Sequence, residues 1–330
     1  MRIHLALTTL ALAVAGASGA SRALAQATVA TDFPRKPISL VIGFVPGGVV
    51  DVAARLLAQR LSEAFRQPVL PENRGGAGGN IAAAYVARAP ADGYTLLFTA
   101  YTTLPISRGL GAKLDFDPLK DITPVALIGA NTNLLVVRAD LPARTVQELV
   151  ALARAKPGTL TFGTIGNASS FHLASEQLRA MAGADWLNVH FKGGAPAMTE
   201  LIAGRIDFML ATLSLATPNI RSGRIRAIAL ANGERSPYVP ELPTVAESGF
   251  PGYNITGGLA MFAPGATPAP LLDRLSAEVT RAARDPALAE RLASEGIQAS
   301  KLSRQQFAEQ LAREAEQWGR IARAHDIRLD

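Results

Sequence analysis

Leu40–Leu61 reads "LVIGFVPGGVVDVAARLLAQRL", and this stretch sets the architecture. A short apolar run rich in Val and Ile, extending from Ile38 to Phe44, suits a buried strand. It breaks at Pro46-Gly47-Gly48, and from Asp51 to Phe65 the apolar residues recur at helical spacing. A strand, a glycine turn and a helix in that order form the first unit of an α/β sheet with crossover helices. Asp51 has two readings: a cap or first-turn residue that satisfies free helix N–H groups, or a ligand contact.

The same alternation continues along the chain. After "PVLPEN" and the glycine-rich "RGGAGGN" come a helical "IAAAYVARA" and a strand "YTLLFTA". A second series starts past Pro124, with "VALIGANTNLLVVR" extended and "TVQELVALARA" helical. It continues through the strand "LTFGTI", the helix "SSFHLASEQLRAMA", the strand "NVHFK", the helix "APAMTELIAG" and the strands "IDFML" and "IRAIAL". Extended chain returns at "NITGGLAMFAP", and three helices follow over 268–284, 286–294 and 304–325. Two α/β series joined by two extended connections predict two domains hinged about a cleft.

The N-terminus has a basic start at Arg2, an apolar run from Leu5 to Ala17 and an Ala23-Leu24-Ala25 end. Together these predict a secretory signal over 1–25, cleaved after Ala25, and hence a periplasmic protein. Losing Arg2 and Arg22 lowers the formal charge from +6 to +4. The remaining charge is dispersed, which argues against a nucleic-acid partner. Cysteine is absent, so disulfides and thiolate chemistry are excluded.

Three glycine-rich turns precede helices: Pro46-Gly47-Gly48, Gly75 to Asn80, and Gly163 to Ser170. Such turns expose N–H groups that no helical carbonyl takes up, and with the helix dipole they suit a carboxylate or phosphate. "GFVPGG" lacks the Lys-Ser/Thr of a phosphate loop, and "GGAGGN" is a poor dinucleotide fingerprint, so no cofactor is expected. His172, His190 and His325 lie far apart in sequence without metal-ligand spacing, and no metal is expected. A hydrolase using Ser169 or Ser170 with His172 is a remote alternative, since no G-x-S-x-G elbow surrounds them. Lys192, which ends "NVHFK", is either a carboxylate contact or a solvated strand end.

Taken together, "FPRKPISLVIGFVPGGVVDVAARLLAQRL", "QPVLPENRGGAGGNIAAAYVARAPADGYTLLF", "GTIGNASSFHLASEQL", "VHFKGGAPAMTELIAGRIDFML" and "ELPTVAESGFPGY" resemble the Bug-type substrate-binding proteins. Those are the extracytoplasmic receptors of tripartite tricarboxylate transporters, and the resemblance spans essentially the whole chain after 1–25. It implies an α/β, two-domain periplasmic-binding-protein fold, type II-like, with two crossing strands and a cleft between the domains. Domain 1 would be 26–130 plus 258–330, its C-terminal helices packing back on it, and domain 2 would be 131–257.

The implied function is capture of a small organic carboxylate by a monomer that delivers it to membrane subunits, without catalysis. A periplasmic sensor presenting its ligand to a membrane signalling protein is the alternative. The implied ligand contacts are Phe44, Val45, Pro46, Gly47, Gly48, Val50 and Asp51, then Gly78, Gly79, Asn80 and Thr99. On the second half they are Asn131, Thr132, Thr164, Gly166, Asn167, Ser169, Ser170, Phe171, His172, Lys192, Ala211 and Thr212. Relative to the family, Val50 replaces a common hydroxyl, Ala211 a common aspartate and Phe171 a smaller residue. If these side chains face the cleft, the ligand has an aromatic or aliphatic body rather than that of an amino acid or citrate.

Overall fold

The computed structural model describes residues 33–328, so the expected signal segment 1–25 lies outside the described residues. The first strand, β1 (Ile38–Ile42), runs into α1 (Val49–Phe65), and the glycine turn lies between them. Every residue of β1 except Ser39 is buried. Ile38, Leu40 and Ile42 enter one core cluster with Ala54, Leu57 and Leu61 of α1, whereas Val41 points into another with Ala82, Ala83 and Val86. A strand alternates faces, so a continuous apolar run implies helices on both sides of the sheet.

The remaining elements are β2 (Val69–Asn73), α2 (Asn80–Ala87), β3 (Thr95–Ala100), α3 (Thr103–Gly109), β4 (Ile122–Asn131) and β5 (Asn133–Arg138). Then come α4 (Val146–Ala155), β6 (Thr161–Thr164), α5 (Ser170–Ala182), β7 (Leu187–His190), α6 (Gly194–Ile202), β8 (Phe208–Thr212), α7 (Leu213–Arg221) and β9 (Ile225–Leu230). The chain closes with β10 (Gly258–Pro264), α8 (Ala269–Ala282), α9 (Pro286–Ser294), β11 (Ile297–Ala299) and α10 (Arg304–Ala324).

These strands form two sheets, ordered β11-β4-β10-β3-β1-β2 and β7-β6-β8-β5-β9. β1 is parallel to β2 and β3, and β6 is parallel to β7 and β8; β10 and β5 run antiparallel to their neighbours. The chain crosses between sheets twice, at Asn131–Asn133 and again where the segment after β9 returns to β10. Asn232 pins the two crossings together: its amide nitrogen donates to Asn131 O at 2.9 Å, and its oxygen accepts the Asn133 N–H at 2.7 Å. The Asn131 N–H donates to Gly257 O at 2.8 Å.

The last helix packs against the first lobe and also reaches the second. Its N-terminal half places Phe307 and Leu311 in a first-sheet cluster. Trp318 and Ala322, further along, enter the second-sheet cluster together with Ile106 of α3. One amphipathic helix thus covers both lobes. Sequence reading also missed α3 and α7: Pro105 lies in the first turn of α3, where proline is tolerated, whereas Pro218 lies inside α7, where proline reads as a helix breaker.

Candidate functional site

On the first lobe, the bare backbone of the opening stretch is explained by close packing. A Cβ on Gly43 would lie 2.5 Å from Thr99 Oγ1, and one on Gly79 would lie 2.6 Å from the same atom. A Cβ on Gly75 would meet Val45 N at 3.1 Å. The loop after β1 therefore rests on the 75–79 turn, with the buried Thr99 wedged beneath both. Gly47 has a φ of +88°, a conformation that favours glycine.

Asp51 holds this loop. It lies in the first turn of α1, and Gly48 at the N-cap has no side chain to serve the free N–H groups. The Asp51 carboxylate accepts from Gly47 N (3.0 Å), Arg55 Nε (3.0 Å) and Asn73 Nδ2 (2.8 Å). Burial opposes its ionisation, but the hydrogen bonds from Arg55, Gly47 and Asn73 outweigh that and hold its pKa down at about 2. Phe44, through its carbonyl, takes a second bond from Asn73. Phe44, Val45, Pro46, Gly47, Gly48, Gly78, Gly79 and Thr99 thus come together at one end of the first sheet. Val45 is 68% exposed, and Pro46, Gly47 and Gly48 are exposed as well. Asn80, one residue on, donates instead to Ser107 Oγ at 3.0 Å.

On the second lobe, Ser169 caps α5, accepting the His172 N–H and donating to Gly166 O at 2.7 Å. The Thr164 hydroxyl is buried and bonded to His190 Nδ1 at 2.7 Å. His172 Nδ1 accepts the Ala168 N–H at 3.1 Å. Burial first, then the charges on His190, Arg179 and His325, lower the His172 pKa to about 4. The Ser169 proton and the His172 Nδ1 lone pair are therefore both committed to the loop backbone, and no nucleophile-base pair exists between them. Asn167 is exposed and donates to Arg328 O. Lys192 is also exposed, two residues past the end of β7.

Between the lobes lies a cavity of about 390 Å³. Ser170 and Phe171 at the start of α5, Gly194 and Ala195 at the start of α6, and Thr212 and Leu215 at the start of α7 line one side. Asn131, Asn133, Thr256 and Gly257 of the crossings, together with Thr102 and Ile165, complete the wall. Each helix N-terminus carries roughly half a positive charge and N–H groups without helical acceptors. None of these lining residues is charged. The wall supplies donors for an anion and an apolar surface from Ile165, Phe171 and Leu215.

Asn131, Ser170, Phe171 and Thr212 are the sequence-predicted residues found on this wall. Two others face elsewhere and correct the polarity argument built on them. Val50 packs in the first-sheet core against α1 neighbours, and Ala211 is fully buried in the second with Leu134 and Met198. Strand alternation explains the latter: Met209 and Ala211 share one face of β8, and Leu210 takes the other. Thr132 is likewise buried, its hydroxyl on Ser236. Thr102, Gly194, Ala195, Leu215 and Thr256 carried no sequence signal beyond ordinary turn residues.

Two α/β lobes, two crossing segments and a cavity between them define a two-domain periplasmic-binding-protein fold. The chain belongs to the tripartite tricarboxylate transporter receptor family, whose family model matches residues 53–327. Protein BugT of Bordetella pertussis is 31% identical over 320 residues, covering 96% of this chain and 98% of BugT. Among solved structures, R. palustris Rpa4515 with adipate is 34% identical at a TM-score of 0.73, over 90% of this chain and 99% of that one. MatC (Rpa3494) from Rhodopseudomonas palustris with bound malate is 32% identical at a TM-score of 0.70, over 88% and 99%. Among the described residues, no helix is long and apolar enough to cross a membrane.

Proposed function

We propose that this protein is a periplasmic receptor that captures one small organic carboxylate between its lobes. It then presents the ligand to the membrane subunits of a tripartite tricarboxylate-type transporter. The observation that carries this reading is the convergence of three helix N-termini on an uncharged interlobe cavity. Partial positive charge without a fixed cation favours an anion while keeping desolvation modest, which suits a site that must also release its ligand. Support also comes from the relatives whose structures are described with adipate and with malate.

The ligand body is aromatic or aliphatic. This now rests on Ile165, Phe171 and Leu215, which line the cavity, rather than on Val50 and Ala211. A polar group left unpaired in the closed site costs about 1–3 kcal/mol, which disfavours amino acids and citrate. Thermal-shift screening tests the reading, because a ligand at a hundred times its Kd adds about 2.7 kcal/mol of stability. Aromatic or aliphatic carboxylates are expected to raise the Tm. Stabilisation by citrate or aspartate alone would overturn the apolar-body reading.

A further inference from the structure

Gly257 stands in the second crossing just before β10, and its φ lies outside the left-handed region, so its conformation does not call for glycine. What the missing side chain provides is space. Apart from its chain neighbours, a Cβ there would have two protein atoms within 4 Å, Thr102 Oγ1 at 3.0 Å and Asn131 Nδ2 at 3.6 Å. All three residues line the interlobe cavity. The bare Gly257 backbone thus leaves a niche in the cavity wall between a hydroxyl and an amide.

Both flanking groups are uncommitted. Thr102 and Asn131 are half-buried, neither side chain hydrogen-bonds to another described residue, and neither holds a polar atom shut away from the cavity. Asn133 and Thr256 on the same wall differ, since the Asn133 amide donates to Ile255 O and the Thr256 hydroxyl to Glu314 Oε1. The backbone beneath the niche is fixed: Asn131 N donates to Gly257 O at 2.8 Å, and Asn131 O accepts from Asn232 Nδ2 at 2.9 Å. The hydroxyl O–H of Thr102 and the N–H groups of Asn131 Nδ2 are donors held at the niche in search of an oxygen.

We propose that Gly257 is a specificity-determining residue: it keeps this niche open for a neutral carbonyl oxygen at the far end of the ligand, which Thr102 and Asn131 bind. The carboxylate lies at the starts of α5 and α6, the apolar body crosses Ile165, Phe171 and Leu215, and the carbonyl ends at the hinge. A plain apolar end would cover both donors and leave them without water or a partner. A second ionised carboxylate would enter a wall that carries no cation to offset its desolvation. The inference rests on the carboxylate reading of the same cavity.

Isothermal titration with matched sets tests it: hexanoate, adipate monoamide and adipate; phenylpropionate, its para-carboxamide and its para-carboxylate. The amide member is expected to bind about tenfold tighter than its parent in the better-fitting set. Gly257→Ala, whose methyl group occupies the niche, should bring that ratio toward one. Thr102→Val should shrink it, and Thr102→Ser, which retains the hydroxyl, should keep it. Equal binding of parent and amide, tightest binding of the dicarboxylate, or a ratio that Gly257→Ala leaves intact overturns this inference while the carboxylate reading stands. Binding of no member of either set overturns both. The series on the unaltered protein decides even where a variant fails to fold.

Discussion

His172 and His190 meet edge to face, ring centroids 4.6 Å apart, and each bonds the loop that leads into α5: His172 to Ala168 N and His190 to Thr164 Oγ1. The His172 ring is neutral in the folded state, with its pKa lowered from 6.5 to about 4. Between those values the unfolded chain binds the extra proton, so stability falls as pH drops from 6.5 and levels off below 4. The loss is about 3 kcal/mol at most. His172→Asn keeps an acceptor for Ala168 but cannot be protonated, so urea titrations at stepped pH should show a flatter profile. An unchanged slope would remove His172 as its cause.

Asp51 makes the opposite kind of contribution at lower pH. Its folded pKa is depressed from 3.8 to about 2, so its stabilisation is present above 3.8 and lost as pH falls toward 2. Arg55 is half exposed, and the bonds to Gly47 and Asn73 therefore matter more than the ion pair. Asp51→Asn should cost about 1–2 kcal/mol near neutral pH and remove that part of acid unfolding. It should also weaken ligand affinity through the 44–48 loop. Denaturation and titration on the same variant separate the two effects.

Glu314 is buried, and burial raises its pKa above 4.5. The folded state then holds the proton longer, so stability falls as pH rises from 4.5 through the folded value. Glu314→Gln keeps an acceptor oxygen and should gain stability relative to the parent as pH rises. Glu314→Ala strands Tyr101, Thr256 and Gln310 and should cost about 3 kcal/mol. Calorimetric melting across pH checks both signs.

The seam between α3 and α10 is a backbone contact. A Cβ on Gly109 would sit 2.4 Å from Ala315 O and 2.9 Å from Gly319 N. Gly109→Ala must push the two helices apart and should cost about 2–3 kcal/mol in urea unfolding. Because α10 covers both lobes, its C-terminal half should also lose protection in hydrogen exchange. A Tm within a degree or so of the parent would show that the seam relaxes freely.

Much of this protein was legible in one dimension. The alternation beginning at Leu40–Leu61 determined the α/β class, because strand and helix periods are local properties of the side-chain pattern. The glycine turns marked where strands hand over to helices, and Ser169 and Ser170 announced the start of α5. The motifs along the chain sufficed for the family. The His172–His190 contact was not legible, since residues distant in sequence become neighbours only when β7 pairs beside β6.

Only the tertiary structure decided which side chains face the cavity. Val50 and Ala211, the informative substitutions by sequence, turn into the cores. Thr256, Asn133 and the start of α6 form the wall instead. The physical reason is that direction toward a cleft depends on strand register, on the crossings pinned by Asn232 and on a helix shared by both lobes. Each joins segments far apart in the chain, so no local period of the sequence records them.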